Sequence, residues 1–118
     1  MISNEEKRGR ERVDFKITSV FLTEDGTECD CLLRDISMSG FYIQTENIQP
    51  EGKKIEIQIE LSSGMDKQHV KAQCSVIRST KDPQLLANSG MALNIIQIDP
   101  DSSIVLFNMV KYQMHKSL

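Results

Sequence analysis

The strongest constraint on the fold is a strict alternation of apolar and polar residues over positions 54–61. Ile55, Ile57, Ile59 and Leu61 occupy every second position, and lysine, glutamate or glutamine fills the positions between them. Successive side chains of a β-strand point to opposite faces, so the pattern predicts a strand with one face in a core and the other in water. The segment therefore has to belong to a sheet that covers an apolar core.

Other parts of the chain show the same period of two. We expect further strands over 14–23, 28–36, 41–45, 69–78 and 90–98. Asp25-Gly26 is typical of a tight turn between paired strands, and it separates the first two of these segments. The chain therefore reads as a succession of short antiparallel strands.

The period changes after Ile98. Asp99 suits a helix N-cap, and Pro100 suits the first helical position, where its missing N–H costs nothing. Apolar residues then follow at three- and four-residue spacing, namely Ile104, Phe107, Val110 and Met114. This spacing predicts a C-terminal helix whose apolar face, with Met109, covers the sheet.

Six short strands and one helix predict an all-β fold, a small six-stranded antiparallel barrel with a C-terminal α-helix. Closure is expected because it removes exposed strand edges. A chain of 118 residues is sized for one domain. We expect a flexible basic N-terminal arm over 1–13, the barrel over 14–98 and the helix over 100–116.

Composition and charge exclude several classes of protein. A net charge of −3 argues against a DNA- or RNA-binding protein, because such proteins need a broad basic surface. No segment approaches the roughly 18 apolar residues of a membrane span, and the N-terminus does not resemble a signal peptide. Three cysteines fit a reducing compartment better than a disulfide framework. We therefore expect a cytoplasmic protein without a membrane span.

Two polar motifs stand apart from the strand pattern. Arg8-x-x-x-Arg12 lies in the charged N-terminal segment, and Asp35-x-Ser37-x-x-Gly40 lies between two predicted strands. Aspartate and serine side chains of this kind bond back to nearby backbone, and Gly40 can adopt a positive φ, so the second motif predicts a sharp turn. The following strand would hold this turn in a fixed place on the sheet.

In this order, a little over twenty residues apart, the two motifs resemble the paired signature of the PilZ domain, a bacterial receptor module for cyclic di-GMP. Segments 72–78 and 89–93 resemble the later strands of that family, although the closing strand lacks the usual phenylalanine. The resemblance implies a PilZ-type β-barrel, a role in second-messenger signalling, and cyclic di-GMP as a ligand with no cofactor.

The resemblance also implies a set of ligand-binding residues. These are Arg8, Arg12, Asp35, Ser37 and Gly40, with Lys7, Arg10 and Arg78 as secondary candidates. Guanidinium groups make charge-assisted bonds to phosphate, and a carboxylate accepts hydrogen bonds from the N1 and N2 donors of guanine. Lys7 cannot stack on a base as arginine does, so the sequence leaves open whether the site binds one or two copies of the ligand. Arg34 and Arg78 fit surface charges at strand ends better than ligand contacts.

Other chemistries find little support in the sequence. Cys29-x-Cys31, with Cys74 and His69, lies within predicted strands, whereas structural zinc pairs usually lie in turns, two to four residues apart. Neither a Walker, a dinucleotide-binding nor a His-Glu-x-x-His motif is present. We therefore expect no metal site and no enzymatic activity.

The resulting hypothesis is a nucleotide-binding receptor or adaptor that changes its surface when cyclic di-GMP binds and so regulates a downstream protein. A monomer or weak dimer is expected. One alternative is a PilZ-like adaptor that works through protein contacts and binds no nucleotide. Another is a small barrel that binds single-stranded nucleic acid, against which the aromatic content of 5% argues, because bases stack on aromatic side chains in such proteins.

Overall fold

The strands form a closed antiparallel barrel in the computed structural model, which describes residues 16–63 and 65–116. The strands are β1 Lys16–Leu22, β2 Glu28–Ile36, β3 Gly40–Gln44, β4 Lys54–Ser63, β5 Asp66–Thr80 and β6 Gly90–Ile98. A 3₁₀ turn spans Leu86–Asn88, and the helix α1 spans Pro100–Lys116. Around the barrel the order is β1-β2-β3-β6-β5-β4. The predicted all-β fold, a closed six-stranded antiparallel barrel with a C-terminal helix, is confirmed.

The alternation over residues 54–61 places β4 as predicted. Ile55, Ile57 and Ile59 are at most 2% exposed, whereas the polar residues between them are half-buried. Each of the other strands that ring the barrel contributes inward-facing side chains to the same core, which also contains Phe21, Ile43, Val70, Cys74, Met91 and Leu93. Burial of this apolar surface is the main source of stability of the barrel.

The turn between β1 and β2 follows the predicted Asp-Gly pattern. Gly26 has a φ of 88°, a conformation that favours glycine, and its N–H donates to the carbonyl of Thr23 at 2.9 Å. The Asp25 carboxylate accepts hydrogen bonds from the hydroxyl of Thr23 and from the N–H of Thr27. These bonds lower the pKa of Asp25, and the bond from the Thr23 hydroxyl has the largest effect.

Helix α1 begins as the sequence predicts. The carboxylate of Asp99 accepts a hydrogen bond from the N–H of Ser102 at 3.1 Å, as an N-cap residue does. Hydrogen bonds from the side chain and backbone of Ser102 lower the pKa of Asp99. Among the described residues, no helix is long and apolar enough to cross a membrane.

The predicted packing face of α1 is wrong at two positions. Ile104 and Phe107 are 62% and 54% exposed. Met109 is buried and Val110 packs against the core, as predicted, and Leu106 is buried beside them. The helix contacts β5 and β2, and the N–H of Lys71 on β5 donates to the buried Ser102 hydroxyl at 3.0 Å. The sequence of α1 has two apolar stripes. The hydrogen bond between Lys71 and Ser102 lies on the same side of the helix as the stripe that packs against the barrel. The side chain of Met114 lies outside the described part of the helix.

The Ser102 contact generates a stability prediction. Ser102→Ala leaves the N–H of Lys71 without its acceptor, and we expect the free energy of unfolding to fall by about 1 to 3 kcal/mol. Urea denaturation followed by far-UV circular dichroism measures the change. Ser103→Ala is the matched control, because among the described residues the Ser103 hydroxyl has no hydrogen-bond partner. Equal stability of the two variants would contradict the assigned role of the Ser102 bond.

Candidate functional site

The loop between β2 and β3 is a tight turn closed by one serine. The hydroxyl of Ser37 accepts hydrogen bonds from the N–H of Ser39 at 3.2 Å and from the N–H of Gly40 at 3.1 Å. The N–H of Ser37 donates to the carbonyl of Gly40 at 2.9 Å. Ser37 therefore bonds back to the backbone as its sequence context predicts, and the turn has a defined shape without any ligand.

Gly40 is required by a close approach of two strands. The prediction of a positive φ at this position is wrong, since Gly26 and Gly52 are the positive-φ glycines of the described residues. A Cβ atom on Gly40 would clash with the backbone carbonyl of Leu93 on the neighbouring strand β6. The N–H of Ile95 also donates to the carbonyl of Ser39 at 2.8 Å. The turn is thus fixed directly on β6.

Asp35 lies at the end of β2 with its side chain on the outer surface. Asp35 pairs with Tyr42 on the neighbouring strand β3, and its side chain is exposed. Within 16–63 and 65–116, no side-chain or backbone group donates a hydrogen bond to its carboxylate. An exposed carboxylate with free acceptor capacity suits a ligand that offers two adjacent N–H donors.

These residues surround an open cavity of about 350 Å³ on the outer face of the barrel. Its walls include Asp35, Ser37, Ser39, Gly40, Tyr42, Ile77, Leu93 and Asn94. The cavity crosses three strands that are adjacent in the barrel, β3, β6 and β5, and it includes the end of β2. The structure therefore brings the Asp35, Ser37 and Gly40 positions of the second motif to one place.

Two β-bulges flank this face of the barrel. In β2 the register shifts between Leu33 and Asp35, which leaves Arg34 as the extra residue. In β5 the register shifts between Val76 and Arg78, which leaves Ile77 as the extra residue, 53% exposed. Bulges redirect side chains and are frequent beside functional sites. Here the second bulge places an isoleucine at the cavity wall, opposite the motif loop.

Sequence reasoning missed several cavity residues, among them Tyr42, Ile77 and Asn94. The signal for Ile77 was the break in alternation after Val76, and the signal for Asn94 was a polar residue in a mostly apolar strand. Tyr42 lies over β6, since a Cβ atom added to Gly90 would lie 2.5 Å from its hydroxyl oxygen. Together they give the cavity apolar and hydrogen-bonding walls.

The positions of the remaining predicted site residues differ. Arg78 is exposed, pairs with Ala92 and does not line the cavity. Lys7, Arg8, Arg10 and Arg12 lie outside the described residues, so their approach to the cavity stays a prediction.

Burial determines the protonation state of two of the cysteines. Burial raises the pKa of Cys31 to about 11 and that of Cys74 to about 12, so both thiols stay protonated at neutral pH. Within the described part of the chain, no three His, Cys, Asp or Glu side chains lie close enough together to hold a metal ion.

Comparison with protein families bears on the identity of this barrel. A model of the PilZ domain matches residues 6–111, a span that includes both polar motifs. The chain belongs to the PilZ domain family. Among curated proteins, no sequence matches the chain.

Two solved structures share the fold of this PilZ domain. One is the inhibitor of motility MotI/DgrA from Bacillus subtilis, with a TM-score of 0.66 and 14% identity over 89% of this chain and 51% of that one. The chain thus spans about half the length of MotI/DgrA. The other is the PilZ domain of YcgR from Escherichia coli with c-di-GMP, with a TM-score of 0.52 and 16% identity over 90% and 94% of the two chains.

The close approach at Gly40 generates a prediction about the site. Gly40→Ala places a methyl group against backbone, which a flexible side chain cannot relieve, so β3 and β6 have to separate locally. We expect the free energy of unfolding to fall by about 1 to 3 kcal/mol, the range for overpacking. Urea denaturation measures the loss, and amide chemical shifts should move at Leu93 and Asn94.

Ser39→Ala is the control for this variant. It changes the neighbouring exposed residue of the same turn, and we expect a change in the free energy of unfolding within about 0.5 kcal/mol. Wild-type stability in Gly40→Ala would show that the turn does not approach β6 as closely as described.

Proposed function

We propose that this PilZ domain is a receptor for cyclic di-GMP that has no enzymatic activity. The observation that carries the proposal is the open cavity at the β2–β3 turn, where Asp35, Ser37 and Gly40 meet. The family match supports the proposal because it extends over the Arg8 and Arg12 positions as well. The YcgR PilZ domain, which shares the fold, was solved with c-di-GMP.

The cavity suits one half of a cyclic dinucleotide. The Asp35 carboxylate can accept from the N1 and N2 donors of guanine, an edge that adenine lacks. Tyr42 and Ile77 supply apolar surface for the flat base. The Ser37 hydroxyl already accepts from the N–H groups of Ser39 and Gly40, which fills its two lone pairs, so it would contact the ligand by donating its O–H in place of the bond to the carbonyl of Gly40.

The phosphates need cations, and among the described residues no arginine or lysine lines the cavity. We propose that Arg8 and Arg12 supply this charge. Arginine makes bidentate bonds to phosphate and can also stack on a guanine base. The two motifs then divide the ligand, with the base held by the turn and the phosphates by the N-terminal segment.

The arginine assignment is tested by isothermal titration with cyclic di-GMP. Arg8→Ala or Arg12→Ala should weaken binding by about 1.5 to 3 kcal/mol, the range for hydrogen bonds to a charged group, or roughly ten- to a hundredfold. Lys54→Ala is the control, because it removes one positive charge from β4, a strand that contributes nothing to the cavity.

The same titration decides between the proposed function and the adaptor alternative. Wild-type protein that releases no heat with cyclic di-GMP at any temperature would favour an adaptor that works through protein contacts alone. Binding that is unchanged when both arginines are removed would leave a receptor but would exclude the N-terminal segment as the phosphate clamp.

The proposed output is a changed surface for a downstream protein in a bacterial cytoplasm. When Arg8 and Arg12 contact the phosphates, the arm around them becomes ordered against the barrel, and this covers one surface and creates another. Ordering opposes binding by on the order of 1 kcal/mol for each residue fixed, so the ordered stretch should be short. The proposal therefore confines ordering to residues 8–13.

Amide hydrogen exchange tests this mechanism. Saturating cyclic di-GMP should slow exchange over residues 8–13 and 35–40, and it should leave β4 unchanged because that strand lies away from the cavity. An N-terminal segment that is already protected without ligand would contradict the mechanism. So would a segment that stays unprotected at saturation.

A further inference from the structure

The outward face of α1 carries an apolar pair that the barrel does not use. Ile104 and Phe107 are 62% and 54% exposed, and residues three apart on a helix are neighbours on its surface. The opposite face of the same helix, with Leu106 and Met109, is already buried in the core. The exposed pair therefore forms a second apolar stripe, distinct from the one that attaches α1 to the barrel.

Charged residues flank this stripe with opposite signs. Asp101 is exposed one turn before Ile104, and Lys111 is exposed one turn after Phe107. Ile104, Phe107 and Lys111 follow each other at spacings of three and four, so they share one side of the helix. The order along this side is acidic, apolar, apolar, basic.

This pattern of residue types is complementary to the same pattern on a second helix that runs in the opposite direction. The midpoint of Asp101 and Lys111 and the midpoint of Ile104 and Phe107 coincide to within half a residue. A two-fold axis at that point would set the helix of a second copy antiparallel to the first. Ile104 of one copy would then face Phe107 of the other, and Asp101 would face Lys111, twice in each dimer.

We propose that a second copy of this chain covers the outer face of α1 through such an antiparallel helix pair. The symmetric charge pattern selects this occupant over an unrelated protein, since both ion pairs form from one chain without any added element. None of the described residues that line the cavity lies on α1, so the helix pair does not use the residues of the proposed ligand site. The proposal does not depend on the identity of the ligand.

One pair of helices buries less surface than a standard stable interface, so the dimer should be reversible. Sedimentation equilibrium over about 10 μM to 1 mM, the range expected for an interface below standard size, should show a monomer–dimer equilibrium. Phe107→Glu should weaken the association at least tenfold. Leu85→Glu is the matched control, since Leu85 is 55% exposed but lies before the 3₁₀ turn, and it should leave the equilibrium unchanged.

A charge exchange tests the antiparallel geometry. Asp101→Lys or Lys111→Asp alone should weaken the dimer, because each sets like charges opposite each other. The double variant should restore it, since opposite charges face each other again and the net charge returns to the wild-type value. The two positions lie ten residues, or about 15 Å, apart along one helix, so they cannot pair within one copy.

Three results would overturn the proposal. The first is a wild-type protein that sediments as a monomer at every concentration, which would leave the face to a different protein. The second is a Phe107→Glu variant that dimerises like the wild type. The third is a double charge variant that associates no better than the single ones. Circular dichroism melting of each variant confirms that α1 is still folded.

Discussion

The pairing of β3 with β6 is the contact on which both the barrel and the candidate site depend. β3 is the shortest strand, five residues long, and it lies between β2 and β6, so its two pairings close the barrel on the side opposite the β1–β4 pair. Its first residue, Gly40, pairs with Asn94 at a distance that excludes a side chain. Because Phe41 and Ile43 follow as core residues, the same register that closes the barrel also fixes the motif turn.

This coupling explains why the site has its shape before any ligand binds. The Ser37 hydroxyl holds the inside of the turn, and the Ile95 N–H holds its outside against β6. A turn fixed on both sides loses little conformational entropy when a ligand arrives, and a preorganised site binds more tightly than one that must fold around its ligand.

Local sequence predicted those parts of the structure that local physics determines. The alternation in β4 and the Asp99 cap of α1 each depend on side chains within a few residues of each other, and both are found as predicted. The turn at Ser37 belongs to the same class. The closed barrel was predicted from the number of short strands, because closure removes exposed strand edges, and the resemblance to a family agreed with it.

The features that sequence reasoning missed depend on contacts between distant segments. Ile77 breaks the alternation of β5, but only the register with β6 decides whether the strand ends there or bulges. The sequence context of Gly40 suggested a turn glycine. Glycine is required there because any side chain would clash with the backbone carbonyl of Leu93, which lies far along the chain. Likewise α1 has two apolar stripes, and nothing within the helix says which one meets the barrel.

The two faces of the molecule that carry proposals are connected by the same pair of strands. β2 carries Asp35 and β5 carries Ile77 at the cavity, and these are also the strands that α1 contacts. A ligand that shifts either strand would also shift the surface on which α1 packs. Any effect of the ligand on dimerisation must then be matched by an equal effect of dimerisation on ligand affinity. Since the core beneath is closely packed, such a shift would move whole strands and not single side chains.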